Sequence, residues 1–455
     1  MDAPLTAAEI RSYADRVVAW CDEGSAGGSA SGSAGGSADQ VDLIAALEEL
    51  KSAACAAQAQ AAVAFDARRR AEQARAGVPA ARQGRGIAAE VALARRESPH
   101  RGQSLLGLAK VLVTEMPHTL ARLRDGSLNE FRATILARET GCLSAEQRSF
   151  VDEELCADPR ALAGVGTREL LGRVRRLAAE LDPAAVARRA RRAEADRNVT
   201  VRPAPDTMAY LTGLMPVAQA VAAYASVRAA ALSARAQGDQ RSLGQLMSDL
   251  MLSRLTGLPD TGSAERAPAV PVTINLTMSE ETLAGGHAPA VLSGDGVAGE
   301  VLPAEVARQL AAHALDDATA WFRRLYRNRL GRLVAMTSRQ RLFPDGIAEL
   351  LALQGLGICA SPYCDAPVRH TDHLTPVEEG GATSAANGQG LCEACNHAKQ
   401  APGWRQRVVS SPRERPEVET ITPTGHRYVA TAPAPPGWRE PRYVEIGPGR
   451  YGLVA

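Results

Sequence analysis

Asp372 and His373 stand side by side in VRHTDHLTP, residues 368–376, an acid next to an imidazole in a segment that reads as a strand. Hydrolysing a phosphodiester needs a divalent cation on the phosphate and the leaving oxygen, and a base that takes a proton from water. On a strand, neighbouring side chains point to opposite faces. A local bend would let one of the two hold the cation while the other faces the water. EEGGATS follows as a turn, with Gly380 and Gly381 free to take positive φ. ANGQGLC brings the chain back, and places Asn387 where its amide is expected to fix the orientation of His373.

Four cysteines bracket this insert. Cys359 and Cys364 form C-x4-C; after 27 intervening residues, Cys392 and Cys395 form C-x2-C. Two such pairs on separate turns can bring four thiolates onto one tetrahedral zinc. Ser361, Pro362 and Asp365 surround the first pair with turn-like sequence, which argues against four ordinary buried cysteines. Cys21, Cys55, Cys142 and Cys156 are scattered on helical sequence and read as small apolar residues.

CEACNHAKQ reads as a short helix carrying the second cysteine pair and two possible further cation ligands, Asn396 and His397. At about 100° per residue, Asn396 borders the face of Cys392 and Cys395, whereas His397 points nearly opposite. An amide oxygen is a normal partner for Mg²⁺. Geometry favours Asn396, and His397 is the alternative. Arg369, His370 and Lys399 lie close enough in sequence to contact substrate phosphate, with His370 on the strand face of Asp372.

Together these residues resemble the HNH endonuclease domain, a ββα-metal nuclease fold stapled by a zinc knuckle. The matching features are Asp372-His373, the Gly380-Gly381-Ala382-Thr383 turn, Asn387, Leu391-Cys392 to Cys395, and Asn396. The resemblance implies Asp372 as ligand to Mg²⁺ or Mn²⁺, His373 as general base and Asn387 as the residue that positions it. The final ligand is His in many members and Asn in others, so Asn396 departs from a literal H-N-H. LYRNRLGRLVAMTSRQRLFPDGIAELLALQG and AARQGRGIAAEVALARRESPHRG look like proteins in which a domain of unknown function 222 precedes the HNH unit. DNA is the implied partner. The competing reading is a zinc-stapled nucleic-acid-binding module without turnover.

The elements that must hold this site divide into five stretches. Residues 1–40 read as a flexible segment with the Gly/Ser/Ala linker at 24–38. Residues 41–262 repeat apolar positions at three- and four-residue spacing and read as a multi-helix domain; Pro117 breaks one helix, and DTMAYLTGLMPVAQAVAAYASVRAAALSARAQG reads as another. Residues 263–345 form a mixed α/β connection, with a strand in APAVPVTINLTMS, a helix in PAEVARQLAAHAL and two strands around Asn328 to Gly331. Residues 346–410 make the nuclease domain, opened by a helix in DGIAELLALQG. Residues 411–455 read as a Pro- and Arg-rich tail with a loop or edge hairpin. The fold class is a mainly α N-terminal multi-helix domain plus a small α+β C-terminal domain of the ββα-metal type, stapled by a zinc site of four cysteines.

Bulk composition adds limits. Fifty-two basic against 51 acidic residues leave a net charge of +1, so the chain as a whole is not a polybasic nucleic-acid binder. The Arg run between 173 and 197 reads as a solvated helix face offset by Glu180, Asp182, Glu194 and Asp196. No secretory leader and no uncharged apolar run long enough to span a bilayer are expected. The chain is expected to be cytoplasmic, with reduced thiols. Its Ala- and Leu-rich helices could also pack against a second copy.

Overall fold

In this computed structural model the described residues are 6–26, 37–257, 274–294, 297–316, 343, 345–411, 414–438, 442–447 and 450–454. The helical part runs through α1 (Ala7–Ala26), α2 (Ser37–Arg75), α3 (Ile87–Arg95), α4 (Pro99–Thr114), α5 (Pro117–Arg124), α6 (Glu130–Glu139), α7 (Ala145–Cys156), α8 (Thr167–Leu181) and α9 (Pro183–Ala195). Residues 7–26 are therefore helical, where a flexible segment was expected, and α2 starts at Ser37 rather than Val41. Both helices begin in Ala-containing sequence of high helix propensity, which the Gly/Ser composition between them obscures.

One core binds α4 to α8 together. Leu112, Met116, Leu123, Leu128, Leu136, Val151, Leu170 and Val174 are buried in a single cluster, and Ala56 of α2 completes it. The break at Pro117 is repaired from α7. Asp152, fully buried, accepts hydrogen bonds from the His118 and Thr119 N–H groups and from Thr119 Oγ1. A carboxylate thus caps the open N-terminus of α5. The Arg run lies on α8 and α9, where Arg173 pairs with Glu169 and Arg175 with Glu139.

After α9 the chain departs from the expected helix. β1 (Asn198–Ala204) and β2 (Met208–Leu214) form an antiparallel hairpin, and only then does α10 (Val217–Ala236) begin, followed by α11 (Leu243–Thr256). The three-residue connection Pro205-Asp206-Thr207 places Asp206 and Thr207 at φ 62° and 60°, left-handed conformations usually taken by glycine, without glycine to signal it. Among the described residues α10 is the one helix long and apolar enough to cross a membrane, by length and composition alone. It carries Arg228 and Arg235.

β3 (Ile274–Thr277), β4 (Ala290–Gly294) and β5 (Val297–Leu302) form a three-stranded antiparallel sheet, with α12 (Glu280–Leu283) between β3 and β4 and α13 (Ala304–Asp316) after β5. The expected strands around Asn328 lie outside the described residues. α14 (Asp345–Gln354) then leads into the cysteine-bearing unit. This unit consists of β6 (His370–His373), β7 (Gly388–Leu391) and α15 (Glu393–Lys399).

What was expected to be a Pro/Arg-rich tail is largely sheet. β8 (Arg405–Val408), β9 (Glu417–Ile421) and β10 (Arg427–Thr431) form an antiparallel sheet with β9 in the middle, and β11 (Arg442–Gly447) pairs with β12 (Arg450–Val454). Glu419 in the central strand is buried and bonded by Arg407 and Arg427 from the two flanking strands, so cross-strand charge pairs offset the low apolar content. The first of these sheets is tied back to the helices. Thr424 Oγ1 donates to Glu90 Oε2 at 3.0 Å, and the Trp404 indole lies so close to Gly86 that a Cβ there would come within 2.5 Å of its Nε1. Burial raises the Glu90 pKa, partly offset by the Thr424 bond and by Arg69.

Candidate active site

Four cysteines form one buried cluster with Leu391. The Sγ atoms of Cys359, Cys364, Cys392 and Cys395 all lie within 4.8 Å of one another, and all four residues are buried. Zn–S bonds of about 2.3 Å in a tetrahedron put sulfurs about 3.8 Å apart. The Cys364–Cys392 separation of 3.7 Å fits that spacing. Cys359 N–H donates to Ala366, Ala360 N–H to Gly390, and Cys395 N–H to Cys392 Sγ, so backbone bonds shape both cysteine turns. Hydrogen bonding from the Cys364 thiol lowers the Cys359 pKa to about 7, and bonds from Cys359, Cys364 and Cys395 hold Cys392 far below the ordinary thiol range. The same mutual hydrogen bonds push Cys364 and Cys395 far above it, so the four thiols share protons among themselves; a zinc ion held by all four would take them as thiolates.

β6 and β7 pair antiparallel, with Asp372 opposite Gln389 and His373 opposite Gly388. One face of this ribbon carries α15, the other α14. Gly388 is required on the α14 face, since a Cβ would lie 2.4 Å from Leu351 Cδ1 and 2.7 Å from the Phe343 ring. His373 is buried on the same side, its ring 4.4 Å from that of Phe343.

The His373 ring is held by Thr383. Its Nε2 lies 2.9 Å from Thr383 Oγ1, and its Nδ1 lies 3.8 Å from Asp372 Oδ1. The Thr383 hydroxyl can give or take the proton in this bond, so the contact fixes the orientation of the ring and keeps Nδ1 on the Asp372 side; when Nε2–H donates, the lone pair is on Nδ1. Burial is the largest influence on this imidazole and lowers its pKa; Asp372 raises it and Lys399 lowers it further. A neutral ring is the form that accepts a proton.

Asn387 does a different task from the one expected. Its Oδ1 accepts from Thr375 N–H at 2.9 Å, and its Nδ2 donates to Thr375 O at 3.0 Å and to Ala382 O at 2.9 Å. The amide thus clasps the two ends of the turn that carries Thr383, rather than touching the His373 ring. Gly381 completes the clasp, because a Cβ there would fall 1.9 Å from Thr375 O. Thr383 was the orienting residue that sequence reasoning missed. It was visible in the Gly-Gly-Ala-Thr turn, but its distance of ten residues from His373 closes only once the turn folds.

On the α15 face, Asp372 is flanked by a cation already in the chain. Lys399 Nζ lies 2.8 Å from Asp372 Oδ2 and also donates to His373 O. Lys399 was expected at substrate phosphate; the structure puts its ammonium on the carboxylate instead, because α15 runs back across β6. Asn396 is buried, its Nδ2 3.4 Å from His370 Nδ1 and its Oδ1 without a partner. A buried carboxamide oxygen left unbonded is costly unless something binds it. His397 is exposed, with its ring 6.5 Å from that of His370. His370 and Arg369 are exposed at the start of the strand. The structure therefore brings Asp372, His373, His370, Asn396 and Lys399 together, and leaves Arg369 and His397 at the rim. A divalent cation fits the donor set of Asp372 and the orphaned Asn396 oxygen.

Comparison with known protein families gives two matches: the Domain of unknown function (DUF222) over residues 47–351 and the HNH endonuclease over residues 359–401. The second match spans the cysteine cluster, β6, β7 and α15. The first ends inside α14, the helix that backs His373. No curated protein and no solved structure matches the chain.

Proposed function

We propose that this chain, which belongs to the family defined by the domain of unknown function 222 and carries an HNH endonuclease domain, is a metal-dependent endonuclease that hydrolyses DNA. The observation that carries the reading is the pairing of a buried, Thr383-held His373 with Asp372 beside it, on a strand crossed by a helix bearing an unsatisfied Asn396 oxygen.

His373 Nδ1 takes the proton of the attacking water. Thr383 keeps the ring turned so that this nitrogen, and not Nε2, faces the reaction. A Mg²⁺ or Mn²⁺ ion held by Asp372 and Asn396 would polarise the phosphate and stabilise the leaving 3′ oxygen. Asn387 and Gly381 keep the Thr383 turn closed, so the base is pre-positioned rather than assembled on binding. The four-cysteine cluster joins the N-cap of α15, Cys392, and Cys395 in its first turn to the chain before β6, which fixes Asn396 against the strand. Products carry 5′-phosphate and 3′-hydroxyl ends.

Incubation of the full chain with supercoiled plasmid and with matched RNA, in Mg²⁺ or Mn²⁺ and with EDTA as control, tests this reading. Metal-dependent nicking of DNA with 5′-phosphate ends is expected. Retention of DNA without cutting under every metal would leave a zinc-stapled nucleic-acid-binding module instead.

A further inference from the structure

We infer that His370 is a third protein ligand of the divalent cation, and that the site consequently prefers Mn²⁺ and later first-row metals to Mg²⁺. The inference rests on the nuclease reading for the position of the cation, but not on turnover.

His370 and Asp372 are two residues apart on β6, so they share the face that α15 crosses. Asn396 reaches that face from the helix, and its carboxamide lies against the His370 ring, Nδ2 to Nδ1 at 3.4 Å. In this pairing Nδ1 is the acceptor, which puts the imidazole lone pair on the side of Asn396. The orphaned Asn396 Oδ1 belongs to the same carboxamide. A half-turn of the amide exchanges its N and O, and would then set two lone pairs, from Oδ1 and Nδ1, facing each other. With the ring proton on Nε2 those two acceptors are compatible only with a cation between them; with the proton on Nδ1 the ring donates to Oδ1 until a cation replaces that proton's role. The third donor, the Asp372 carboxylate, is at present neutralised by Lys399. A cation that takes Asp372 displaces the ammonium and gathers an oxygen from each of Asp372 and Asn396 and a nitrogen from His370.

An outward phosphate contact by His370 would use Nε2–H and leave cation affinity unchanged. The inward placement of Nδ1 is what assigns the ring to the cation. Imidazole suits Mn²⁺, Co²⁺ and Ni²⁺, whereas Mg²⁺ is bound mainly through oxygen and water.

Mn²⁺ binding to the zinc-loaded full chain, followed by electron paramagnetic resonance, tests the assignment directly. Wild type should bind Mn²⁺ more tightly than Mg²⁺ and show ¹⁴N coupling to the bound ion. His370→Gln should lose that coupling and weaken Mn²⁺ by about tenfold or more. His373→Ala and His397→Gln should keep it, and unchanged zinc content reports that each variant is folded. Coupling that survives in His370→Gln, or disappears only in His397→Gln, overturns the inference, as does the absence of Mn²⁺ binding. Plasmid nicking separates this result from the underlying reading. Unaltered Mn²⁺ affinity in a His370→Gln protein that still cuts refutes the ligand, while ¹⁴N coupling in a wild type that never cuts refutes the nuclease.

Discussion

Thr383 Oγ1 stands 2.9 Å from His373 Nε2, so a hydroxyl at the end of a glycine-rich turn holds that nitrogen and turns Nδ1 toward Asp372. Thr383→Val removes the acceptor while keeping the shape. Cleavage should fall by about tenfold to a hundredfold with metal affinity unchanged, and Thr383→Ser should restore most of it. Single-turnover rates together with Mn²⁺ titration check this; equal rates for Val and wild type would mean that the ring is held by its packing on Phe343 alone.

Proton uptake by His373 sets the acid side of the pH profile. Burial holds its pKa below the ordinary 6.5. The neutral ring is the active form, so the rate rises with pH and levels off once pH exceeds that lowered pKa. The midpoint of the acid limb should therefore lie below 6.5. A limb centred above that value would show the base to be a different group, or one stabilised in its protonated form.

Asn387 acts through the turn, and its loss should be legible as loosening. Asn387→Ala frees Thr375 and Ala382 of their clasp, so both the rate and the resistance of residues 375–387 to limited proteolysis should drop. Gly381→Ala should do the same more severely, since its Cβ meets backbone; the expected cost is about 1–3 kcal/mol. An Asn387→Ala protein slowed without any gain in protease sensitivity would point to direct contact with substrate.

Zinc removal should unfold one end of the molecule. The buried helical cluster lies within residues 56–178 and shares no member with the cysteine cluster at 359–395. Cys395→Ser, or a strong chelator, should abolish zinc binding and cleavage while most of the helical circular dichroism remains. Loss of the whole helical signal would show instead that the two parts fold as one.

The residues of the candidate site stand out in the sequence more clearly than the scaffold that holds them. Asp372-His373 and the four cysteines are short-range patterns whose spacing is itself the signal. Lys399 on Asp372 is not, because the pair forms only when α15 folds back across β6. The same limit hid the clasp of Asn387, whose partners are known only once the turn is closed. Helices α4 and α5 were visible through apolar periodicity and Pro117. The β1–β2 hairpin was not, since Asp206 and Thr207 supply the left-handed turn without glycine, and an Ala- and Leu-rich run follows directly. β10 lies in the segment expected to be a loop or edge hairpin, but its sheet with β8 and β9 was not legible, for a different reason. Their buried centre is Glu419, paired to Arg407 and Arg427, so the strands lack the apolar alternation by which strands are recognised.

The most direct test of the account is the cleavage of supercoiled plasmid by wild type and His373→Ala in Mn²⁺, with both proteins shown to hold zinc and to bind DNA equally. The account predicts nicking by wild type and a loss of at least about a hundredfold in the variant. Cleavage that survives unchanged in His373→Ala would contradict it, because among the described residues His373 is the imidazole whose ring nitrogen stands beside Asp372 with its other nitrogen held by Thr383.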